Sequence, residues 1–158
     1  MSGRYHIGQA CLNGHMVAGS PSSPKRASFC PDCGAATITS CPNCPAPIRG
    51  DWEGEQFGYA SATDVQAYCG GCGEAYPWTA AKVDAVVELA DAIEELTEHE
   101  RAVLSEMLPH LIQETPRTQP AGFKVATILG TLKGPGKVAL RRILEEVAIE
   151  GGKKALGF

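Results

Sequence analysis

Cysteine is absent from the second half of this 158-residue chain, because all seven cysteines precede position 73. Six of the seven lie between Cys30 and Cys72. The two halves must therefore be stabilised by different means, as in a small metal-stabilised module followed by a separate helical region. We expect one domain at residues 1–78 and a helical domain or docking tail at residues 79–158.

Long apolar runs and a charged leader are also lacking. No apolar stretch approaches the length of a membrane span, and no basic start with an apolar core precedes Cys11. We therefore expect neither membrane insertion nor secretion, and a cytoplasmic location. In a reducing compartment, an odd number of cysteines that includes three C-x-x-C pairs favours metal binding over disulfides.

Positive charge is scarce outside the C-terminal tail. Residues 1–78 carry 4 basic and 6 acidic groups, residues 79–120 carry 3 and 9, and residues 121–158 carry 7 and 3. Seven metal-bound thiolates would make the first domain more negative still, because two dications do not neutralise them. A phosphate backbone would find little attraction there.

Eight candidate metal ligands form four pairs along the first domain. The pairs are Cys11 with His15, Cys30 with Cys33, Cys41 with Cys44, and Cys69 with Cys72. Structural zinc takes four sulfur or imidazole ligands in a closed tetrahedron. The eight ligands thus predict two zinc ions with no open coordination position.

The turns inside these pairs fit metal binding to different degrees. Gly34 and Gly73 each follow a C-x-x-C pair, where glycine tolerates the positive φ of a zinc knuckle. Cys44 is followed instead by Pro45, so we expect Cys44 to bind metal without the glycine-dependent turn of a standard knuckle. An Asn13-Gly14 turn can bring the first thiolate and imidazole to one metal.

Spacing favours sequential pairing of the ligands. Fourteen residues separate the first and second pairs, seven the second and third, and twenty-four the third and fourth. The longer gaps leave room for hairpins, so we join the first pair to the second and the third to the fourth. The alternative is an interleaved, RING-like cross-brace that recruits a partner protein, although a RING usually has a shorter link between its middle pairs.

Other cysteine and histidine chemistry fits less well. Redox catalysis usually needs a single C-x-x-C pair, and iron-sulfur ligation needs a more closely clustered spacing. His6 is an alternative to His15 as a ligand, and this choice stays open at the level of sequence. His99 and His110 fall on predicted helices, where we expect no metal.

Two further segments invite a ligand-binding interpretation. Trp78 follows the last cysteine pair and is expected to wedge the second site against a helix with Thr79 as its N-cap, although Trp52 or Trp78 could instead stack on a ligand. Residues 130–137 resemble a nucleotide-binding loop, but Val138 replaces the required hydroxyl and no strand precedes them. We interpret these residues as a turn between helices.

Apolar spacing predicts three or four helices in the second domain. The first extends from Ala80 to Leu96, and a Thr97–Glu100 capping box starts the second, whose last turn Pro109 should kink or shorten. Residues 115–120 contain two prolines and are predicted to be a linker. A third helix is expected at 121–132, and a fourth, weakened at its end by two glycines, contains residues 140–147.

The fold class is therefore a small metal-stapled β module of two zinc ribbons followed by a small all-α region. Its helices could close a bundle or self-associate. Basic side chains in the tail could contact an acidic protein, RNA or anionic lipid. These residues are Lys133, Lys137, Arg141, Arg142, Lys153 and Lys154.

Residues 29–44, with two C-x-x-C knuckles joined by a short link, resemble the double zinc ribbon class. The segments 11–15, 47–50 and 76–79 are similar to those of a small bacterial family of unknown function. The resemblance implies zinc binding and a ribbon fold. It implies no activity, because such ribbons serve as adaptors, nucleic-acid clamps and structural staples.

The leading functional hypothesis is a non-enzymatic protein-interaction or regulatory adaptor with two zinc ions. The first alternative is a nucleic-acid-binding ribbon that uses the basic C-terminal helix, and the second is the RING-like module. We do not expect an enzyme, because the sequence offers neither a nucleophile-base pair nor an open metal position.

Overall fold

The computed structural model describes residues 2–56 and 58–158, and it divides the chain into the units Met1–Ala81 and Lys82–Phe158. The strands of the first unit are β1 (Gly3–Ile7), β2 (Gln9–Cys11), β3 (Met16–Ala18), β4 (Thr37–Ile38), β5 (Arg49–Gly54) and β6 (Gly58–Ala60). The helices are α1 (Pro77–Asp91), α2 (Glu98–Met107), α3 (Thr118–Thr131), α4 (Gly134–Val147) and α5 (Glu150–Leu156), with a 3-10 turn at Leu108–His110.

The strands of the first unit form two small antiparallel sheets, with the orders β1-β5-β6 and β3-β2-β4. Gly8 connects the two sheets, and its N–H donates to the Ile48 carbonyl at 2.8 Å. A Cβ on Gly50 would lie 1.9 Å from the Gly19 carbonyl oxygen and 2.8 Å from the Gly8 Cα. Glycine is therefore required where these three chain segments meet.

Cysteines make up much of the buried core of the first unit. One cluster of buried side chains consists of Ala10, Cys41, Ile48, Cys69, Tyr76 and Trp78, and another of Cys11, Val17 and Cys30. Few large aliphatic side chains are present in either cluster. Burial of apolar side chains alone therefore contributes little to the stability of this unit.

The second unit has an ordinary aliphatic core supplied by all of its helices. Its largest fully buried side chains are Val86, Leu104, Met107, Leu108, Leu111, Val125, Leu140 and Leu144. The predicted capping box is present, because Thr97 Oγ1 accepts from the Glu100 N–H and the Glu100 carboxylate accepts from the Thr97 N–H. Helix α2 gives way at Leu108 to the 3-10 turn that contains Pro109, as the proline predicts.

The boundaries of α1 differ from the sequence prediction. The helix begins at Pro77, so Thr79 lies inside it and is not the N-cap; its hydroxyl donates to the Ala67 carbonyl at 2.7 Å. The helix also ends at Asp91 rather than Leu96. The Arg101 guanidinium donates to the Ala90 carbonyl in the last turn of α1 at 3.2 Å and to the Ile93 carbonyl just beyond the helix at 2.8 Å.

The prediction of three or four helices is wrong, because five α-helices are present in the described residues. The additional helix α5 contains Gly151 and Gly152, which were expected only to weaken α4. A Cβ on Gly152 would lie 2.5 Å from the Leu111 carbonyl oxygen, so close packing favours glycine there. Tertiary contact thus outweighs low helix propensity.

The predicted linker at residues 115–120 is also too long. Helix α3 begins at Thr118, and Pro120 lies within its first turn. A backbone N–H there would have no acceptor inside the helix, so proline is tolerated. The turn predicted at residues 130–137 is also shorter than expected, because α3 continues to Thr131 and α4 begins at Gly134, so only residues 132–133 join the two helices. None of the described helices is long and apolar enough to cross a membrane.

Two glycines of α3 provide a matched test of packing in the second unit. A Cβ on Gly122 would lie 2.2 Å from the Ala155 Cβ, whereas a Cβ on Gly130 would meet nothing within 4 Å. We expect Gly122→Ala to lower the free energy of unfolding by about 1–3 kcal/mol through overpacking. Gly130→Ala should raise it by about 0.5–1 kcal/mol through helix propensity. Urea unfolding followed by circular dichroism measures both; equal effects would contradict this packing.

Candidate metal centres

The structure brings Cys11, His15, Cys30 and Cys33 together in one cluster of the first unit. Their ligand atoms all lie within 4.8 Å of one another. The Cys11 sulfur is 3.4 Å from His15 Nδ1 and 3.7 Å from the Cys33 sulfur, and the Cys30 sulfur is 3.6 Å from His15 Nδ1. These four side chains could hold one metal ion.

A second cluster consists of Cys41, Cys44, Cys69 and Cys72, whose sulfurs also lie within 4.8 Å of one another. The Cys41 and Cys72 sulfurs are 3.8 Å apart, and the Cys44 and Cys69 sulfurs are 3.6 Å apart. The ligand pairs are thus grouped sequentially, first with second and third with fourth. A RING-like cross-brace would have grouped the first with the third.

These distances fit a tetrahedral ion. Metal-sulfur bonds of about 2.3 Å in a regular tetrahedron place the sulfurs about 3.8 Å apart, and a mixed sulfur-nitrogen edge is about 3.5 Å. A disulfide would instead require a separation of about 2.05 Å. The five separations given above, from 3.4 to 3.8 Å, match the tetrahedral edges, and all the remaining separations lie within 4.8 Å.

The first ligand pair is held by the hairpin between β2 and β3. The Cys11 N–H donates to the His15 carbonyl at 3.0 Å, and the Gly14 N–H donates to the Cys11 carbonyl at 2.9 Å. Gly14 has a φ of 88°, which other residues rarely adopt. Cys11 also pairs with Thr37 of β4, shortly after the second ligand pair, so the small sheet brings both pairs to one place.

The three C-x-x-C pairs share one hairpin hydrogen bond. The N–H of the first cysteine donates to the carbonyl five residues later, at Ala35, Ala46 and Glu74, over 2.8–2.9 Å. Gly34 and Gly73 have positive φ and donate a second bond back to the first cysteine of their own pairs. Pro45 has no N–H for that bond, yet its knuckle keeps the hairpin bond and brings both sulfurs into the cluster.

Backbone and side-chain donors surround the sulfurs. The backbone N–H groups of His15, Asn43 and Gly71 donate to Cys11, Cys41 and Cys69 at 3.3, 3.4 and 3.3 Å, respectively. Asn13 Nδ2 donates to the Cys33 sulfur at 3.5 Å. Such donors stabilise sulfur in the thiolate form, which is the form that binds metal.

The electrostatics of the clusters require a cation for full ionisation. Hydrogen bonding by the Ala35 N–H lowers the pKa of Cys33 to about 6, and the N–H groups of Cys72 and Gly71 lower the pKa of Cys69 to about 6. The hydrogen bond from the Glu74 N–H acts to lower the pKa of Cys72. Desolvation of its sulfur and the three neighbouring sulfurs outweigh that bond and raise the pKa to about 12. Four adjacent sulfurs thus resist becoming thiolates together unless a bound ion offsets their charge.

Trp78 lies against both clusters. Its side chain belongs to the same buried group as Cys41 and Cys69, and it stacks on Tyr76 with ring centroids 4.6 Å apart. A Cβ on Gly14, in the turn of the first cluster, would lie 2.9 Å from the Trp78 Cβ. The sequence predicted a packing role beside the second cluster. The contact with Gly14 was missed because no local pattern indicates it.

The other histidines lie outside both clusters. His6 Nε2 is 3.1 Å from the Glu53 carboxylate, and His110 Nδ1 is 3.0 Å from Thr115 Oγ1. The structure thus places His15, and not His6, among the three cysteines. Burial in the clusters follows a pattern, since the first cysteine of each C-x-x-C pair is buried while Cys33 and Cys72 are exposed.

One of three comparisons with known proteins gives a match, and that match covers almost the whole chain. The model of the family described as "Uncharacterized protein conserved in bacteria (DUF2321)" matches residues 4–156. The chain belongs to this family. The comparisons with curated proteins and with solved structures give no match.

The two histidines near the first cluster allow a direct test of its ligands. Full-length protein titrated with Co²⁺ should bind two ions and show the visible absorption of tetrahedral thiolate coordination. We expect His15→Gln to lower the affinity of one ion at least tenfold, because one ligand is lost. His6→Gln is the matched control and should retain both ions. A loss of binding in His6→Gln, with none in His15→Gln, would contradict the arrangement.

Proposed function

We propose that both clusters bind zinc as structural ribbon sites and that the chain is a non-enzymatic protein-interaction adaptor. The observation that carries this proposal is the presence of two sequential four-ligand clusters with tetrahedral spacing. Three sulfurs with one imidazole, and four sulfurs, are the donor sets that structural zinc prefers. Zinc binding would supply the stability that the small core of the first unit lacks.

The closed ligand sets support a structural rather than a catalytic role. A catalytic zinc ion usually keeps a position for water or substrate, and it has three protein ligands. Here each cluster provides four side chains, so the protein itself would complete the tetrahedron around each ion. We therefore propose that neither ion activates water and that the chain is not an enzyme.

Exposed apolar side chains beside the first cluster support an interaction role. Phe29 directly precedes Cys30 and is 64% exposed, and Leu12 follows Cys11 and is 38% exposed. Both flank Ala36, since Phe29 forms a β-bridge with Ala36 and the Leu12 N–H donates to its carbonyl at 3.0 Å. We take these two neighbouring apolar side chains as the contact surface for a protein partner.

The nucleic-acid alternative rests on the basic tail, and the ion pairs of the second unit weaken it. Arg141, Arg142 and Lys153 lie 3.0, 3.6 and 3.1 Å from Glu145, Glu146 and Glu150, respectively, each within one helix. Nearby carboxylates offset the attraction of these cations for phosphate. We therefore propose a protein partner in the bacterial cytoplasm, and self-association through the helices is the alternative.

Site-specific crosslinking tests the adaptor role. A photoreactive phenylalanine analogue at Phe29 should crosslink a defined bacterial protein in living cells, whereas the analogue at exposed Lys25 should not. The purified partner should then form a complex with the zinc-loaded chain, and Phe29→Ser should weaken that complex at least tenfold. Nuclease-sensitive products alone, or equal crosslinking from both positions, would contradict the proposal.

A further inference from the structure

A groove of about 400 Å³ lies beside the second cluster in the first unit. Its walls include Tyr5, Arg49, Gln66, Tyr68, Gly70 and Tyr76. Gly70 and Gly71 belong to the knuckle of Cys69 and Cys72, so the proposed zinc site would fix one wall. None of the eight candidate metal ligands lines this groove.

Aromatic rings give the groove its apolar character. Tyr5 is 54% exposed and packs on Trp52, with ring centroids 4.9 Å apart. The two residues are paired across β1 and β5, which fixes the position of the Tyr5 ring. Tyr68 lies on the other side, in a β-bridge with Ala75 that closes the last knuckle. The groove is therefore held open by backbone pairing on both sides.

Arg49 is the charged group of the groove. Its guanidinium carbon lies 5.2 Å from the centroid of the Tyr5 ring, and its Nη2 is 3.4 Å from the point where a Cβ on Gly70 would stand. Within residues 2–56 and 58–158, no carboxylate oxygen lies within 4.0 Å of this guanidinium. Arg4, on the opposite face of the same sheet, is by contrast 3.1 Å from Glu53. Arg49 is thus oriented by its neighbours and free to bind an anion.

We propose that this groove binds an extended peptide segment of a partner protein that presents a single carboxylate side chain. A glutamate or aspartate carboxylate of the segment pairs with Arg49, and an adjacent aromatic or proline ring lies between Tyr5 and Tyr68. Aromatic-lined grooves of this kind hold extended peptides in other recognition domains. The inference names a partner chemistry for the adaptor and therefore rests on the proposed function.

Charge favours a peptide over a single-stranded nucleic acid. Stacking on tyrosines would suit bases, but a strand also presents a phosphate at every nucleotide. The groove offers one arginine, and residues 1–78 carry 4 basic against 6 acidic groups before thiolates are counted. One carboxylate matches one guanidinium, whereas several phosphates would remain unpaired.

The experiment uses the full, zinc-loaded chain labelled with ¹⁵N and three probes. The first probe is a blocked peptide of sequence Gly-Phe-Glu-Pro-Gly, the second has glutamine in place of glutamate, and the third is an oligothymidylate. We expect the first peptide to shift the amide signals of Tyr5, Arg49, Gly70 and Gly71. The glutamine peptide should bind at least about fivefold more weakly than the glutamate peptide.

Two arginine variants isolate the ion pair. Arg49→Gln should remove the difference between the glutamate and glutamine peptides, while the matched control Arg4→Gln should preserve it. The proposal is overturned if neither peptide shifts groove signals, if both variants act alike, or if the oligothymidylate shifts the same signals more strongly and with steep salt dependence. A partner crosslinked at Phe29 without peptide binding in the groove would refute this inference alone. If neither the Phe29 crosslink nor peptide binding in the groove is observed, the proposed adaptor function is refuted as well.

Discussion

The first unit depends on the mutual approach of seven sulfurs and one imidazole. These atoms come from four separate turns and lie within 4.8 Å of one another in each cluster, and the shortest separations match the edges of a tetrahedron built around a small cation. Without a cation, adjacent thiolates repel one another, as the raised pKa of Cys72 shows. The aliphatic core of this unit is small, so metal binding would provide the constraint that positions the two sheets, the stacked Tyr76 and Trp78, and the aromatic groove.

Sequence spacing favoured the observed grouping of the seven cysteines, because metal ligation imposes local rules, whereas the choice of His15 over His6 needed the structure. A C-x-x-C turn leaves little freedom for its two sulfurs, and hairpins with room to fold favour sequential grouping. The capping box at Thr97 and Glu100 and the break of α2 at Pro109 were predictable for the same reason. In each case a few neighbouring residues determine the hydrogen bonds.

Features that depend on distant contacts were not predictable from the sequence. Helix α5 tolerates two glycines because Gly152 packs against the Leu111 carbonyl, and no periodic pattern announces that contact. The position of Trp78 against Gly14, and the placement of Arg49 over Tyr5, likewise depend on segments far apart in the chain. Local patterns marked Trp78 and the Asn13-Gly14 turn but neither Arg49 nor Tyr5, and the chain topology decides which of these residues meet.

The most direct test of the central claim is X-ray absorption at the zinc edge of the full-length protein with two ions bound. Closed clusters predict an average first shell of 3.5 sulfurs at about 2.3 Å and half a nitrogen at about 2.0 Å per zinc, with no oxygen. A water oxygen in the first shell, or fewer sulfurs than this average, would contradict the account.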